Sequence, residues 1–254
     1  AAELVRWGID VDDSAGLPLA QTLPSAFLML TARMLADGLS PVSLLAALKH
    51  PLAAGGMTAV AFRALTRTLE VNLLRGPRPA PGIKGLQAAA KANKKTGRDL
   101  KDFIDRLQTL IEPFARVVDG SGKNFTSFLT AHVHMAEALA ADKVSDGAGR
   151  LWAGDSGEAA ANFVAELKDA GGALETVTAT DYPALLETLM AGRMVRPRFG
   201  RHPRLHIWGL LEARLQQADV MILGGLNDAT WPPESKPSPW MSRPMRKDFG
   251  LLAL

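Results

Sequence analysis

The chain has 254 residues, 47% of them hydrophobic and 22% charged, which is enough apolar sequence for a substantial core. It contains no cysteine, which excludes a disulfide scaffold, a thiolate zinc site, an iron–sulfur cluster and a cysteine nucleophile. Its 29 Lys and Arg against 26 Asp and Glu leave a net charge of +3, too small to indicate a partner by itself. No run of about twenty residues is free of charges and turn formers, so we expect no transmembrane helix.

The beginning of the chain has the pattern of a strand. The sequence starts without Met or a signal segment and ends abruptly, and we expect a piece of a longer protein. Residues 3–11 form an apolar run that predicts a strand, and the acidic residues 12–14 that follow predict a turn.

Helical spacing begins at residue 25 and continues to about residue 192. Thr58 and the Ser40-Pro41 pair are helix-start signals, and Gly38 stands where a C-terminal cap belongs. After a Pro-rich connector, helices are predicted at about 83–95, 98–117, 125–141, 157–170 and 181–192.

Two short buried strands are predicted near the end of the chain, at residues 204–208 and 219–223. The helical block at 25–192 is therefore bracketed by strand-bearing pieces at 1–24 and 193–254. This order indicates a mainly α fold with a small parallel α/β part, in which the helices are an insertion.

Residues 117–127, VVDGSGKNFTS, resemble a phosphate-binding P-loop. The motif needs a Gly where Val117 stands and a Ser or Thr where Asn124 stands. Without that hydroxyl there is no magnesium ligand, and without that Gly the loop cannot close tightly around phosphates. We interpret this segment as a Gly-rich turn between helices.

No other motif predicts catalysis or metal binding in this chain. His132 and His134 are two residues apart on a predicted helix, so they point to different faces and cannot chelate one metal. The acids at positions 10, 12 and 13 are more typical of a turn than of a cation site. No G-x-S-x-G segment positions a serine nucleophile.

Basic residues are concentrated in two places. Between residues 63 and 106 there are eleven Lys or Arg against four acids, and the segment 193–204 has five Arg and no acid. Arginine forks suit phosphate oxygens, and Phe199 offers a ring on which a base could stack. The alternative to nucleic-acid contact is an ordinary solvated surface. The two interpretations are equally well supported for the helical cluster, whereas nucleic-acid contact is better supported for the arginine segment. The candidate DNA-binding residues are Arg193, Arg196, Arg198, Arg201, Arg204, Lys91, Lys94 and Lys95.

The segment 193–233 carries a family resemblance. It reads as a strand, a short Leu-Glu-Ala-Arg element, a second strand and then Gly-Gly-Leu-Asn-Asp-x-x-Trp-Pro. This arrangement resembles the AddB family, a subunit of the AddAB double-strand-break repair complex, in its alphaproteobacterial form. Residues 19–50 and 151–166 resemble the same family.

The resemblance implies the second RecA-like domain of a superfamily 1 helicase-like module with a large helical insertion. It implies an inactivated module that contacts single-stranded DNA and an AddA-like helicase/nuclease subunit during homologous recombination, in the cytoplasm at the nucleoid. ATP and Mg are expected for the parent complex, with no catalytic residue and no cofactor in this chain. The residues matching the helicase-like turn are Glu212 and Arg214, and those matching the following loop are Gly224, Gly225, Asn227 and Asp228.

Two other functions remain open from the residues alone. The basic patches could face an acidic partner surface, which would make the chain a structural or protein-interaction scaffold without direct DNA binding. An active helicase or ATPase is disfavoured because no nucleotide-binding loop is found.

Overall fold

Helices account for most of the chain between residues 23 and 190. The structure, a computed structural model, describes residues 2–9, 11–94, 96–118, 123–173, 176–196, 202–227 and 241–251. The helices are α1 (Ala2–Arg6), α2 (Leu23–Ala36), α3 (Pro41–Leu48), α4 (Ala59–Leu69), α5 (Gly82–Ala92), α6 (Arg98–Val118), α7 (Phe125–Ala140), α8 (Gly147–Leu151), α9 (Gly154–Ala170), α10 (Tyr182–Met190), α11 (Leu210–Ala213) and α12 (Arg243–Asp248).

The strands are two residues long and pair across large sequence distances. They are β1 (Asp12–Asp13), β2 (Leu17–Pro18), β3 (Lys123–Asn124), β4 (Thr176–Val177), β5 (Met194–Val195) and β6 (His206–Ile207). β1 pairs with β6 in parallel, whereas the pairs β2–β5 and β3–β4 are antiparallel. A mainly helical fold with a small parallel sheet contributed by both ends of the chain is thereby confirmed.

Two helices bury a broad face each and form the centre of the core. α2 and α7 each bury most of their residues, and they pack against each other and against α6 and α9. α6 is amphipathic instead, with apolar residues from Leu100 to Phe114 buried at helical spacing. The helices predicted in this block are confirmed, including the start of α4, where the Thr58 hydroxyl accepts from the Ala61 N–H at 3.3 Å.

A polar chain of three side chains crosses this apolar core. His132 has no exposed surface; its Nε2 lies 2.9 Å from Thr31 Oγ1 and its Nδ1 lies 2.9 Å from the Tyr182 hydroxyl. Because the Thr31 hydroxyl donates to the Phe27 carbonyl, it accepts from His132 Nε2–H, and Tyr182 donates to Nδ1. Burial lowers the pKa of His132 to about 3, so the ring is neutral and fully bonded.

The prediction of a strand at residues 3–11 is wrong. Residues Ala2–Arg6 form α1, with Glu3 and Arg6 paired one turn apart at 3.3 Å, and the acidic residues read as a turn form β1. In a short apolar run, periodicity does not distinguish a helix from a strand. The strand that pairs with Asp12–Asp13 lies almost 200 residues away in the sequence, so the local pattern does not predict it.

The chain divides into two units, Ala1–Trp208 and Gly209–Leu254. In the second unit the predicted strand at 219–223 does not form, and Val220, Met221, Ile222 and Leu223 are exposed. The described residues of this unit contain no strand, so the backbone of residues 219–223 has no neighbouring strand among them with which to pair.

Candidate nucleic-acid interface

The arginine-rich segment is held at both ends by the same short stretch near the start of the chain. β5 pairs with β2, and the Leu19 N–H donates to the Arg193 carbonyl at 2.8 Å. At the other end, the Asp12 N–H donates to the Leu205 carbonyl at 3.1 Å beside the β1–β6 pair. Both ends of the segment therefore have defined positions on the first unit.

A cationic and aromatic stripe follows this segment along β6. The stripe consists of Arg204, His206 and Trp208, which alternate in the sequence; Arg204 lies in a bend just before β6, and His206 and Trp208 are brought together at the strand itself. The rings of His206 and Trp208 are stacked, with centroids 5.3 Å apart and an angle of 8° between their planes. His206 Nδ1 lies 3.3 Å from Asp12 Oδ2, and Trp208 keeps 45% of its surface exposed.

Such a stripe combines the two kinds of contact that single-stranded nucleic acid requires. An arginine binds phosphate oxygens, and an exposed indole supported by a second ring can stack on a base. The sequence analysis missed His206 and Trp208 as functional residues because it assigned both to a buried strand. Their alternation with Arg204 was the signal that could have identified them.

Of the predicted arginines, Arg193 is engaged within the protein. Its Nη1 lies 2.7 Å from Glu166 Oε2, and its guanidinium lies over the Phe163 ring, 5.7 Å from the centroid. These contacts attach the start of β5 to α9.

The other predicted arginines differ in how far the structure describes them. Arg196 and Arg204 are exposed, and among the described residues neither side chain has an ion pair. The stem of Arg196 passes close to Gly16, whose positive φ of 71° lets the chain turn against Val195. Arg198 and Arg201 lie outside the described residues.

The predicted lysines belong to a different neighbourhood. Lys91 lies in the last turn of α5 and lines, together with Lys101 and Asp105 of α6, a depression of about 250 Å³. Lys94 is exposed just beyond α5, and Lys95 lies outside the described residues. α5 packs mainly on α6, whereas β5 packs on β2 and α9, so the structure does not join these lysines to the arginine segment.

The residues matched to the helicase-like turn and loop lie in the second unit, where they are exposed. Glu212 belongs to α11, which is a single short turn of helix, and Arg214 is the C-cap of this helix. Gly224 and Gly225 follow the exposed apolar run, and Gly225 has the positive φ of 68° expected of a glycine turn. Asn227 is exposed, and Asp228 lies outside the described residues.

The segment that resembles a P-loop has a structural role at its described end. Asn124 is the N-cap of α7, where its Oδ1 accepts from the Ser127 N–H at 2.8 Å. The glycines and Ser121 of this segment, at 120–122, lie outside the described residues.

In the described ranges, no group of three or more His, Asp or Glu side chains is arranged to hold a metal ion. No helix among them is long and apolar enough to cross a membrane. Comparison of the chain with protein-family models, with curated proteins and with solved structures finds no match.

Proposed function

We propose that this chain is the DNA-contacting helicase-like region of an AddB-like subunit in a double-strand-break repair complex. The observation that carries this proposal is the stripe of Arg204, His206 and Trp208 at the end of the arginine-rich segment. The proposed ligand is single-stranded DNA, bound through phosphates and stacked bases and without reading the sequence. ATP hydrolysis and strand cleavage are assigned to the parent complex and its AddA-like partner.

A RecA-like framework with a helical insertion is part of the same proposal. Support comes from the parallel pairing of β1 with β6, which brings the two ends of the chain together around the helical block. In a RecA-like sheet, residues 219–223 would be a central strand between two neighbouring strands, and the described residues of the second unit contain no such neighbour. The four consecutive exposed apolar residues there fit that expectation.

The proposal is tested by binding of labelled oligothymidylate, measured by fluorescence anisotropy over a salt series. Trp208→Ala is expected to weaken binding by about fivefold to a hundredfold, because stacking of one base is worth about 1–3 kcal/mol. The matched control is Trp7→Ala, which removes an indole that is 74% exposed and lies outside the stripe.

An abasic strand of equal length separates stacking from charge. Because it retains the phosphates and lacks the bases, wild type and Trp208→Ala should bind it equally. Equal losses in Trp208→Ala and Trp7→Ala, or no binding of oligothymidylate by the wild type at low salt, would contradict the proposed interface.

A second candidate function, a protein-interaction scaffold without direct DNA binding, is favoured by the exposed run at residues 220–223. It predicts that the chain binds an AddA-like subunit without DNA, and that Ile222→Ser weakens this complex while Trp208→Ala does not. A pull-down with the purified partner, carried out with and without DNA, distinguishes the two functions.

A further inference from the structure

A groove on the helical block, outside the interface described above, is lined mostly by basic side chains. Its volume is about 420 Å³, and it lies where α3 ends and α4 continues into a π-helical turn at Glu70–Leu74. The residues lining the groove are Lys49, Arg63, Thr66, Arg67, Glu70 and Arg75.

The positions of two of these arginines follow directly from helix geometry. Arg63 and Arg67 are four residues apart on α4, which places both on one face. α4 contains no acidic residue, so this repulsive pair is not compensated within the helix. Between them, the Thr66 hydroxyl is buried and donates to the Phe62 carbonyl at 2.9 Å.

Glu70 organises the other two cations of the groove. Its Oε2 lies 2.6 Å from Lys49 Nζ, and its Oε1 accepts from Arg75 Nη2 at 2.9 Å and Nε at 3.3 Å. These hydrogen bonds from Lys49 and Arg75 lower the pKa of the Glu70 carboxyl, whose side chain is only 14% exposed. The carboxylate is therefore engaged by Lys49 and Arg75, and among the described residues it forms no ion pair with Arg63 or Arg67.

The π-helical turn is what brings Arg75 to Glu70. In an α-helix, residues five apart are separated by about 140° around the axis. Here the Arg75 N–H donates to the Glu70 carbonyl at 3.0 Å, the five-residue spacing of a π turn, and the two side chains come together. Turns of this kind are frequent at functional sites.

The result is a concave surface with uncompensated positive charge. Four cations face one carboxylate, which leaves three positive charges in the groove. Within the described residues, neither Arg63 nor Arg67 has a side-chain hydrogen bond or an ion pair. A cleft lined by charges of one sign concentrates ions of the opposite sign. Each guanidinium group can also bind a phosphate through two parallel hydrogen bonds to its oxygens.

We propose that Lys49, Arg63, Arg67 and Arg75 form a phosphate-binding site in this groove. Arg63 and Arg67 supply the primary hydrogen bonds to phosphate oxygens, and Glu70 fixes Lys49 and Arg75 at the wall of the groove. The phosphate can belong to a nucleic-acid backbone or to a free phosphate compound. The site does not depend on the function proposed above, because it shares no residue with the stripe at Trp208.

The experiment uses the whole chain, the double variant Arg63→Gln/Arg67→Gln and two phosphate probes. The variant removes two positive charges from exposed positions on α4. The matched control, Lys143→Gln/Lys168→Gln, removes two positive charges from other parts of the chain, where neither lysine has an ion pair among the described residues. Circular dichroism verifies that both variants are folded.

The first probe is oligothymidylate in a salt series, and the second is inorganic pyrophosphate in a thermal-shift assay. For a nucleic-acid backbone, Arg63→Gln/Arg67→Gln should weaken oligothymidylate binding by about tenfold or more and lower the salt slope by about 1.4, while the control retains the wild-type slope. For a free phosphate compound, the pyrophosphate-induced thermal shift should disappear in the same variant alone.

Equal losses in the two variants would overturn the site, since they would show that only net charge matters. An arginine variant that binds both probes like the wild type would overturn it as well. Competition in which polyglutamate displaces pyrophosphate as well as polyphosphate does would overturn the phosphate assignment. A wild type that binds pyrophosphate through Arg63 and Arg67 but fails to bind oligothymidylate would retain the site and contradict the proposed DNA function.

Discussion

The helical block and the second unit distribute their apolar side chains in opposite ways. In the block, Phe27 and Phe128 are almost completely buried, whereas Val220 and Ile222 of the second unit are 77% and 88% exposed. Helices satisfy most of their backbone hydrogen bonds internally and need partners only for side-chain packing, whereas a strand also needs a neighbour for its backbone. Apolar side chains therefore form a core in one region and an exposed run in the other.

The strongest test of this difference is a pair of truncations to alanine. Phe128 stacks on Tyr182 at 5.5 Å and meets Phe114 edge-on at 6.3 Å, so Phe128→Ala should lower the free energy of unfolding by about 3–5 kcal/mol. Ile222→Ala should change it by less than about 0.5 kcal/mol, because the side chain is exposed. Urea unfolding followed by circular dichroism measures both. A loss of about 1 kcal/mol or more in Ile222→Ala would mean that the run is covered in solution.

A second test uses pH to examine the polar chain inside the helical block. An unfolded histidine binds a proton near pH 6.5, whereas folded His132 does so only near pH 3. Between these values the unfolded state binds more protons, so stability falls as the pH is lowered, by about 1.4 kcal/mol per pH unit at most. The stability of the wild type relative to His132→Gln should therefore shrink from pH 6.5 downward, measured by urea unfolding.

The matched control for the pH experiment is His134→Gln on the same helix. His134 is exposed two residues from His132, so this variant should retain the pH dependence of the wild type. A pH dependence that persists unchanged in His132→Gln would assign it to other groups and contradict the proposed role of the buried imidazole.

Sequence patterns predicted the helical block well because helix signals are local. The cap at Thr58 and the N-terminal start of α7 at Asn124 depend on residues within three positions of one another. The link from Thr31 through His132 to Tyr182 joins residues 101 and 50 positions apart, and no local pattern specifies such a contact. Periodicity therefore predicted the helices but not the polar chain that connects them.

The strands were predicted less well because their selection depends on distant partners. Residues 204–208 include β6, which pairs with β1, but residues 219–223 have no strand partner among the described residues of their unit. In the candidate interface, composition indicated that the arginines form a basic segment. It could not distinguish Arg193, which is paired with Glu166, from the exposed Arg196 and Arg204.

Arg193 and the other arginines of the segment are expected to differ in role: Arg193 stabilises the fold, and the others are available to a ligand. Arg193→Gln removes a partly exposed ion pair and a cation–π contact, and should lower stability by up to about 1 kcal/mol. The triple variant Arg196→Glu/Arg198→Glu/Arg201→Glu should leave the circular dichroism spectrum and the unfolding midpoint unchanged. It should instead weaken single-stranded DNA binding.

If each of the three arginines contacts one phosphate, the triple variant should lower the slope of log affinity against log salt by about 2, because each contact to single strands contributes about 0.7. Anisotropy at several salt concentrations measures the slope directly. Unchanged affinity in a triple variant that remains folded would remove Arg196, Arg198 and Arg201 from the interface and leave Arg204 to contact phosphate beside Trp208. A reduced slope together with intact folding would place the segment on the DNA path and leave Arg193 as the side chain that attaches β5 to α9.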